Sequence, residues 1–126
     1  MKKRLAIRVE MLPKDTNAWG SIFGGVIMGH MDVAGGDAAR KCTEKNCVTR
    51  AVQRMEFIAP VFVGDMVAFY TRVLQVGRTS ITVYVEVIAE RFDTAEEIKV
   101  GEAEIVYVAV DEQGCPTPIK EEESGT

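Results

Sequence analysis

The chain has 126 residues, of which 47% are hydrophobic and 27% are charged. These proportions are typical of a folded globular domain and argue against a disordered chain, so residues 1–126 are predicted to form a single domain. The formal net charge of −4 provides no overall attraction to nucleic acid or to an anionic membrane. We therefore predict no nucleic-acid partner and no membrane partner.

The three cysteines, Cys42, Cys47 and Cys115, fit neither a disulfide framework nor a tetrahedral zinc site. We interpret them as reduced thiols and predict no metal site. The basic residues near the start are not followed by a long apolar segment, so no signal peptide and no transmembrane span are predicted. The expected location is the cytoplasm.

Hydrophobic patterning predicts five strands and one helix. Apolar and polar residues alternate over Leu5–Leu12, which indicates a half-buried strand. Apolar residues then recur at helical spacing from about Gly24 to Lys41. Four further strands are predicted at Cys47–Phe57, Val67–Val76, Ser80–Phe92 and Val100–Val110, with a hairpin turn at Gly77–Thr79. Residues 119–126 are predicted to be a disordered polar tail.

This order of elements favours an α+β fold in which an antiparallel sheet wraps around one helix. Helices and strands do not alternate, which argues against a doubly wound parallel sheet. In the strand Ser80–Phe92, one face is predicted to carry Ile81, Val83, Val85 and Val87. Open sheet edges in so short a chain favour pairing between subunits, so a homo-oligomer is expected.

The predicted helix is unusually rich in glycine, with Gly25, Gly29, Gly35 and Gly36. Each glycine costs about 0.5–1 kcal/mol relative to alanine within a helix. We therefore expect a sheet or a ligand to approach the helix backbone closely.

Two features of this helix suggest chemistry. Its free N–H groups at Gly24 and Gly25 can stabilise a developing negative charge, although the glycines could also serve only a tight turn. Asp32 lies seven residues after Gly25, almost two turns along the helix. A carboxylate in such an apolar segment is costly unless it is paired or used, so a catalytic and a structural role both stay open.

The segment from Asp15 to Gly36 resembles the small bacterial hotdog-fold acyl-CoA thioesterases, which are related to the tandem-domain cytosolic acyl-CoA hydrolases. The resemblance rests on Asn17-Ala-Trp-Gly20, on Gly24-Gly25 and on Met31-Asp32. Three later segments agree with it, namely residues 57–65 (FIAPVFVGD), 77–80 (GRTS) and 107–111 (YVAVD).

The resemblance implies a hotdog fold, in which five antiparallel strands wrap around one central helix. It implies a dimer with a continuous sheet, commonly assembled into a hexamer as a trimer of dimers, with active sites at the subunit interfaces. The implied reaction is hydrolysis of acyl-CoA to free CoA and a carboxylic acid. No cofactor is implied, since coenzyme A belongs to the substrate and product.

The resemblance also implies roles for individual residues. Asp32 would act as general base or as nucleophile, and the Gly24–Gly25 amides, mainly that of Gly25, would polarise the thioester carbonyl. Asn17 would position water or the carbonyl across the dimer, although it could also be an ordinary turn asparagine. The residues that match CoA-binding positions are Arg78, Thr79, Ser80 and Lys99, although such basic residues are often only solvated strand residues.

Three other residues bear on the interpretation. Trp19 departs from the small or polar residue expected there, and could narrow the pocket or form a wall facing the acyl chain. His30, the only histidine, lies on another helical face from Asp32, and the Phe-Pro-Gly element of hotdog dehydratases is absent, which argues against a dehydratase. Asp37 is expected to be solvated. The alternative function is a non-catalytic hotdog module that binds or senses acyl-CoA.

Overall fold

A computed structural model describes residues 2–120 and shows one long helix packed against one sheet. The elements are β1 (Arg4–Glu10), a 3-10 turn (Pro13–Asp15), α1 (Gly24–Thr43), β2 (Asn46–Phe57), β3 (Met66–Val76), β4 (Ser80–Glu90) and β5 (Glu97–Val110). The sheet has the order β1-β3-β4-β5-β2, and every neighbouring pair is antiparallel. The predicted α+β architecture is confirmed.

The ends of the elements differ from the predicted ends by a few residues. The helix continues past Lys41 to Thr43 and stops at Glu44, which adopts a left-handed backbone with φ 59°. The predicted tail began at residue 119. However, Ile119 is half-buried and its N–H donates to the Arg78 carbonyl at 2.8 Å, so the chain is still fixed there. Residues 121–126 lie outside the described part of the chain.

The core lies between α1 and the face of the sheet that the helix covers. The alternation predicted for β4 is confirmed, because Ile81, Val83, Val85 and Val87 are all fully buried. The helix contributes Ile27, Met31, Ala34, Ala38 and Ala39 to the same core. Among residues 2–120, no helix is long and apolar enough to cross a membrane.

The helix backbone lies close to the sheet at Gly35. A Cβ atom at this position would lie 2.2 Å from the Tyr107 hydroxyl and 2.9 Å from the carbon that bears it. Tyr107 stands on β5 and is 1% exposed, so its ring has little room to withdraw. The expectation that a glycine allows close approach of the sheet is therefore confirmed at this position.

A buried ion pair holds the loop between β2 and β3. Asp65 is 2% exposed, and its Oδ2 accepts hydrogen bonds from Arg91 Nη1 at 2.5 Å and from the Phe62 amide at 2.9 Å. The same Arg91 nitrogen donates to the Pro60 carbonyl at 3.0 Å. Arg91 thus ties the loop to the end of β4.

We predict that Gly35→Ala destabilises the fold whereas Gly36→Ala does not. The new methyl group at Gly35 meets Tyr107, and overpacking of this kind costs about 1–3 kcal/mol. A Cβ at Gly36 would lie 3.6 Å from the Tyr107 ring, an ordinary contact, so this variant should gain about 0.5–1 kcal/mol of helix propensity. Urea unfolding at one protein concentration measures both; equal stabilities would contradict the close approach.

We also predict that Arg91→Met lowers the free energy of unfolding by about 3–5 kcal/mol, because it leaves the buried Asp65 charge without its partner. Arg54→Met is the matched control, since Arg54 also pairs with carboxylates but is 39% exposed. Its effect should be much smaller because water screens an exposed pair. Thermal melting of the two variants checks the order, and a larger loss for Arg54→Met would contradict it.

Candidate active site

Asp32 lies on the face of α1 that the sheet does not cover. Its side chain is exposed within the single chain. It is nevertheless paired: Oδ1 accepts a hydrogen bond from Thr49 Oγ1 at 2.6 Å and lies 3.2 Å from the Tyr107 hydroxyl. The structure therefore orients the carboxylate from two sides.

The two carboxylate oxygens of Asp32 differ in their surroundings. Both hydroxyl contacts are made with Oδ1, and among residues 2–120 no hydrogen bond or ion pair reaches Oδ2. A carboxylate oxygen that accepts no hydrogen bond is the better placed of the two to accept a proton or attack a carbonyl, so any such role would favour Oδ2.

Tyr107 remains a hydrogen-bond donor. Burial raises the pKa of Tyr107, and the negative charge of Asp32 and the hydrogen bond to it raise that pKa further. The hydroxyl is consequently protonated throughout the neutral range and cannot serve as a base. Its proton is directed at Asp32, whose main-chain carbonyl it also meets at 2.8 Å.

Sequence reasoning did not identify Thr49 as a site residue. It lies on β2, and its cross-strand partner on β5 is Tyr107, so the two hydroxyls occupy facing positions. Threonine is common in strands, and nothing in the local pattern distinguishes it. Thr49 can be recognised as a site residue only when the β2–β5 register is known, because that register places it beside Asp32.

Helix α1 begins at Gly24, where the sequence predicts its start. Phe23 is the N-cap and has no side-chain cap hydrogen bond. The Val26 amide bonds to the Phe23 carbonyl at 3.0 Å. The Phe23 ring packs against the Cα of Gly25, where a Cβ would lie 2.5 Å from it. The amides of the first helical turn point back along the helix axis rather than toward that Cα face, so the Phe23 ring does not lie in the direction of their N–H bonds.

An apolar groove opens beside this helix start. It has a volume of about 290 Å³, and its lining residues are Ile22, Gly24, Ile27, Phe57, Ile58, Ala59, Pro60 and Val61. The loop that Arg91 and Asp65 fix supplies one wall, and the Val61 carbonyl accepts a hydrogen bond from the Ile22 amide at 2.8 Å. Because Gly24 is one of the lining residues, the apolar groove lies directly beside the start of the helix.

Asn17 organises its own loop. Its Oδ1 accepts hydrogen bonds from the Trp19 amide at 2.8 Å and the Ser21 amide at 3.3 Å, and its Nδ2 donates to Ser21 Oγ at 2.9 Å. This is the behaviour of a turn asparagine. Within one chain it makes no hydrogen bond to Asp32, and the catalytic role stays a prediction that requires a second chain.

Trp19 and His30 stand apart from these groups. Trp19 is 90% exposed, and it does not line the apolar groove of its own chain. His30 lies 2.9 Å through Nδ1 from the Val26 carbonyl and stacks on Phe69 at 5.5 Å between ring centroids. That His30 is not catalytic stays a prediction. Asp37, expected to be solvated, is half-buried and pairs with Lys41 at 3.0 Å.

The residues predicted to bind CoA fall at two ends of the sheet. Arg78, Thr79 and Ser80 form the turn between β3 and β4, beside a groove that Pro118 and Lys120 also line. Lys99 lies opposite Ile88, eight residues along β4 from Ser80. At the rise of a strand that separation is roughly 26 Å, so one chain does not bring Lys99 to the turn.

Lys99 is also occupied by other partners on the outer face of the sheet. Its Nζ lies 2.5 Å from Glu102 and 3.1 Å from the Tyr84 hydroxyl. The hydrogen bonds from Lys99 and then from Arg54 lower the pKa of Glu102 to about 2. Lys99 would have to leave these partners to bind a phosphate.

Comparisons with known proteins agree with this architecture. The sequence profile of the thioesterase superfamily matches residues 20–95. The acyl-CoA thioester hydrolase YciA of Salmonella typhimurium is 40% identical over 118 residues, which cover 91% of this chain and 89% of that protein.

Two solved structures also superpose closely. A hexameric hotdog-fold thioesterase of Campylobacter jejuni has a TM-score of 0.89 at 40% identity, covering 93% of this chain and 90% of that one. A hexameric broad-specificity acyl-coenzyme A thioesterase has a TM-score of 0.89 at 40% identity, covering 98% and 85%. The chain therefore has the hotdog fold and belongs to the thioesterase superfamily, within its family of acyl-CoA thioester hydrolases.

Proposed function

We propose that this protein hydrolyses acyl-CoA thioesters to free CoA and a carboxylic acid, with Asp32 as general base or nucleophile and the Gly25 amide polarising the carbonyl. The observation that carries the proposal is the environment of the exposed Asp32, whose Oδ1 is held by two hydroxyl groups while Oδ2 has no hydrogen-bond partner among residues 2–120. A pure binding module has no need for such an arrangement. The names of the relatives support the substrate class.

The proposed reaction can follow either of two routes. In the first, Asp32 takes a proton from water while the water oxygen attacks the thioester carbon; collapse then breaks the C–S bond, and the CoA thiolate recovers the proton. In the second, Oδ2 attacks the carbon and expels the thiolate, and water hydrolyses the resulting mixed anhydride. Both routes develop negative charge on the carbonyl oxygen, which the helix start stabilises.

Within one chain, the Gly25 amide and the Asp32 carboxylate cannot both reach the same thioester. Gly25 and Asp32 are seven residues apart on one helix, which separates them by about 10 Å along the axis. A carboxylate must lie within roughly 3 Å of the proton it removes or the carbon it attacks, directly or through one water. The two groups must therefore come from different chains.

A two-fold dimer in which the helices run antiparallel solves this problem. Gly29 is exposed, and a Cβ there would meet no atom within 4 Å, so a second helix can approach it closely. If the two helices cross at Gly29, Asp32 faces position 26 of the other helix, beside the Gly24–Gly25 amides. The partner subunit's Asp32 would then complete the site.

Exposed apolar residues support pairing of two copies along this surface. Val33 and Met28, on the uncovered side of α1, are 64% and 44% exposed. The neighbouring strand β2 is a twelve-residue sheet edge, where Val52 is 48% exposed. Unpaired edges of this length invite another strand, so β2 of two copies would form the continuous sheet of the dimer.

The apolar groove and the β3–β4 turn divide the substrate between them. We assign the acyl chain to the groove at Gly24, because its lining offers apolar contact and few polar groups. The phosphates of CoA suit the turn with Arg78, Thr79 and Ser80, where Lys120 adds positive charge. Lys99 would contribute only from another subunit. The hexameric neighbours support assembly of three dimers.

The first prediction tests Asp32. Asp32→Asn is expected to lower kcat about 100- to 1,000-fold, the scale of a lost general base, with folding retained because amide and carboxylate have the same shape. Thiol release from a panel of acyl-CoAs measures the loss. Asp37→Asn is the matched control, since Asp37 lies on the same helix but pairs with Lys41 and Arg4. Equal rates for Asp32→Asn and wild type, or acyl-CoA binding without turnover by the wild type, would contradict the proposal.

The second prediction tests whether each site is shared between chains. Asn17→Asp removes the amide donor but keeps the oxygens that bind the Trp19 and Ser21 amides, so the loop should persist. Asn17→Asp and Asp32→Asn, each assayed alone, are expected to be nearly inactive. When Asn17→Asp chains and Asp32→Asn chains are mixed in equal amounts, dissociated and reassembled, activity should return to about a quarter of the wild-type value. The reason is that a two-fold interface pairs the two intact residues in one site of each mixed dimer. No recovery in confirmed mixed dimers would contradict a shared site.

A further inference from the structure

We propose that Tyr107 is a positioning residue for Asp32, fixing through its hydroxyl which carboxylate oxygen faces the substrate. The inference rests on the proposed function, in which Asp32 acts on the thioester. It concerns a residue that does not touch the reacting atoms, because Tyr107 lies beneath the helix and is 1% exposed.

The Tyr107 hydroxyl contacts both the main chain and the side chain of Asp32. It lies 2.8 Å from the main-chain carbonyl oxygen and 3.2 Å from Oδ1. A hydroxyl has a single proton, which these two acceptors of one residue share. Such a contact fixes the carboxylate relative to the helix backbone, which a bond to the side chain alone would not do.

The helix provides a gap through which this hydroxyl passes. A Cβ at Gly35 would lie 2.2 Å from the hydroxyl oxygen, and any side chain there would close the path to Asp32. Glycine in a helix interior lowers the stability of the fold, so the gap at Gly35 is present at a cost in folding free energy. A phenylalanine would fill the same core volume as Tyr107, which means that packing of the ring alone does not require the hydroxyl.

Thr49 completes the arrangement from the neighbouring strand. Thr49 and Tyr107 are direct cross-strand partners, and both approach Oδ1, at 2.6 and 3.2 Å. With two hydroxyls on one oxygen, rotation of the carboxylate would lose both contacts. Oδ2 is thereby kept as the carboxylate oxygen without a hydrogen-bond partner among residues 2–120, which would leave it free to act on the substrate.

The test is Tyr107→Phe, which removes the hydroxyl and keeps the ring. We expect kcat to fall about 10- to 100-fold, since misplacement of a reacting group by about 1 Å can cost about 100-fold. KM and the affinity for CoA measured by calorimetry should stay within about twofold, because the substrate contacts are intact. Tyr84→Phe is the control: its hydroxyl binds Lys99 and Glu102 on the opposite face of the sheet, and wild-type kinetics are expected.

A double-mutant cycle separates positioning from general destabilisation. In an Asp32→Asn background the tyrosine substitution should cause no further fall in kcat, because its effect passes through the carboxylate. If Tyr107→Phe lowers kcat by the same factor in the wild-type and Asp32→Asn backgrounds, the inference is overturned. A fall in kcat that disappears when the assay is run well below the melting temperature of the variant would also overturn it, since that loss reports unfolding.

The outcomes also distinguish this inference from the proposed function. If Asp32→Asn is inactive while Tyr107→Phe has wild-type kcat, the positioning role is wrong and the thioesterase proposal stands. If Asp32→Asn retains full activity, the proposed role of Asp32 in the hydrolysis is wrong, and the positioning role of Tyr107 falls with it. A raised KM with unchanged kcat in Tyr107→Phe would assign the hydroxyl to substrate binding and overturn the positioning role.

Discussion

The close approach of α1 to β5 at Gly35 is the constraint on which the rest of the site depends. Because Gly35 has no side chain, the Tyr107 hydroxyl reaches the carbonyl and carboxylate of Asp32 from below. The same approach sets the height of the helix above the sheet, and so brings Asp32 within 2.6 Å of Thr49 on the edge strand. The packing of α1 on the sheet and the geometry around Asp32 thus both depend on the contact between Gly35 and Tyr107.

The exposure of Asp32 is informative because the carboxylate is oriented but not enclosed. Its hydroxyl partners belong to its own chain, while the surface around it contains exposed apolar residues such as Val33 and the open position at Gly29. A carboxylate that is fixed from below and uncovered above is suited to meet a group supplied by another chain. In the proposed mechanism, each chain would contribute one half to each of two sites.

Sequence alone was sufficient for the architecture and for the position of the helix. Strict alternation marked Ile81 to Val87 as one buried face, and glycine-rich helical spacing from Gly24 gave the start of α1. It was insufficient for Thr49, whose contact with Asp32 depends on the register of β2 against β5 and on a register shift next to it, between Thr49 and Ala51. Local pattern contains no information on pairing between strands that are distant in the chain.

The same limit explains why Lys99 does not join the β3–β4 turn. The resemblance identifies residues only by their positions along the sequence. In the structure, the antiparallel register of β4 and β5 places Ser80 beside Val108 and Lys99 beside Ile88. Lys99 then lies among Glu102, Glu86 and Tyr84, where its charge is already matched. A basic residue contributes to phosphate binding only if the ligand offers more than the partners it must leave.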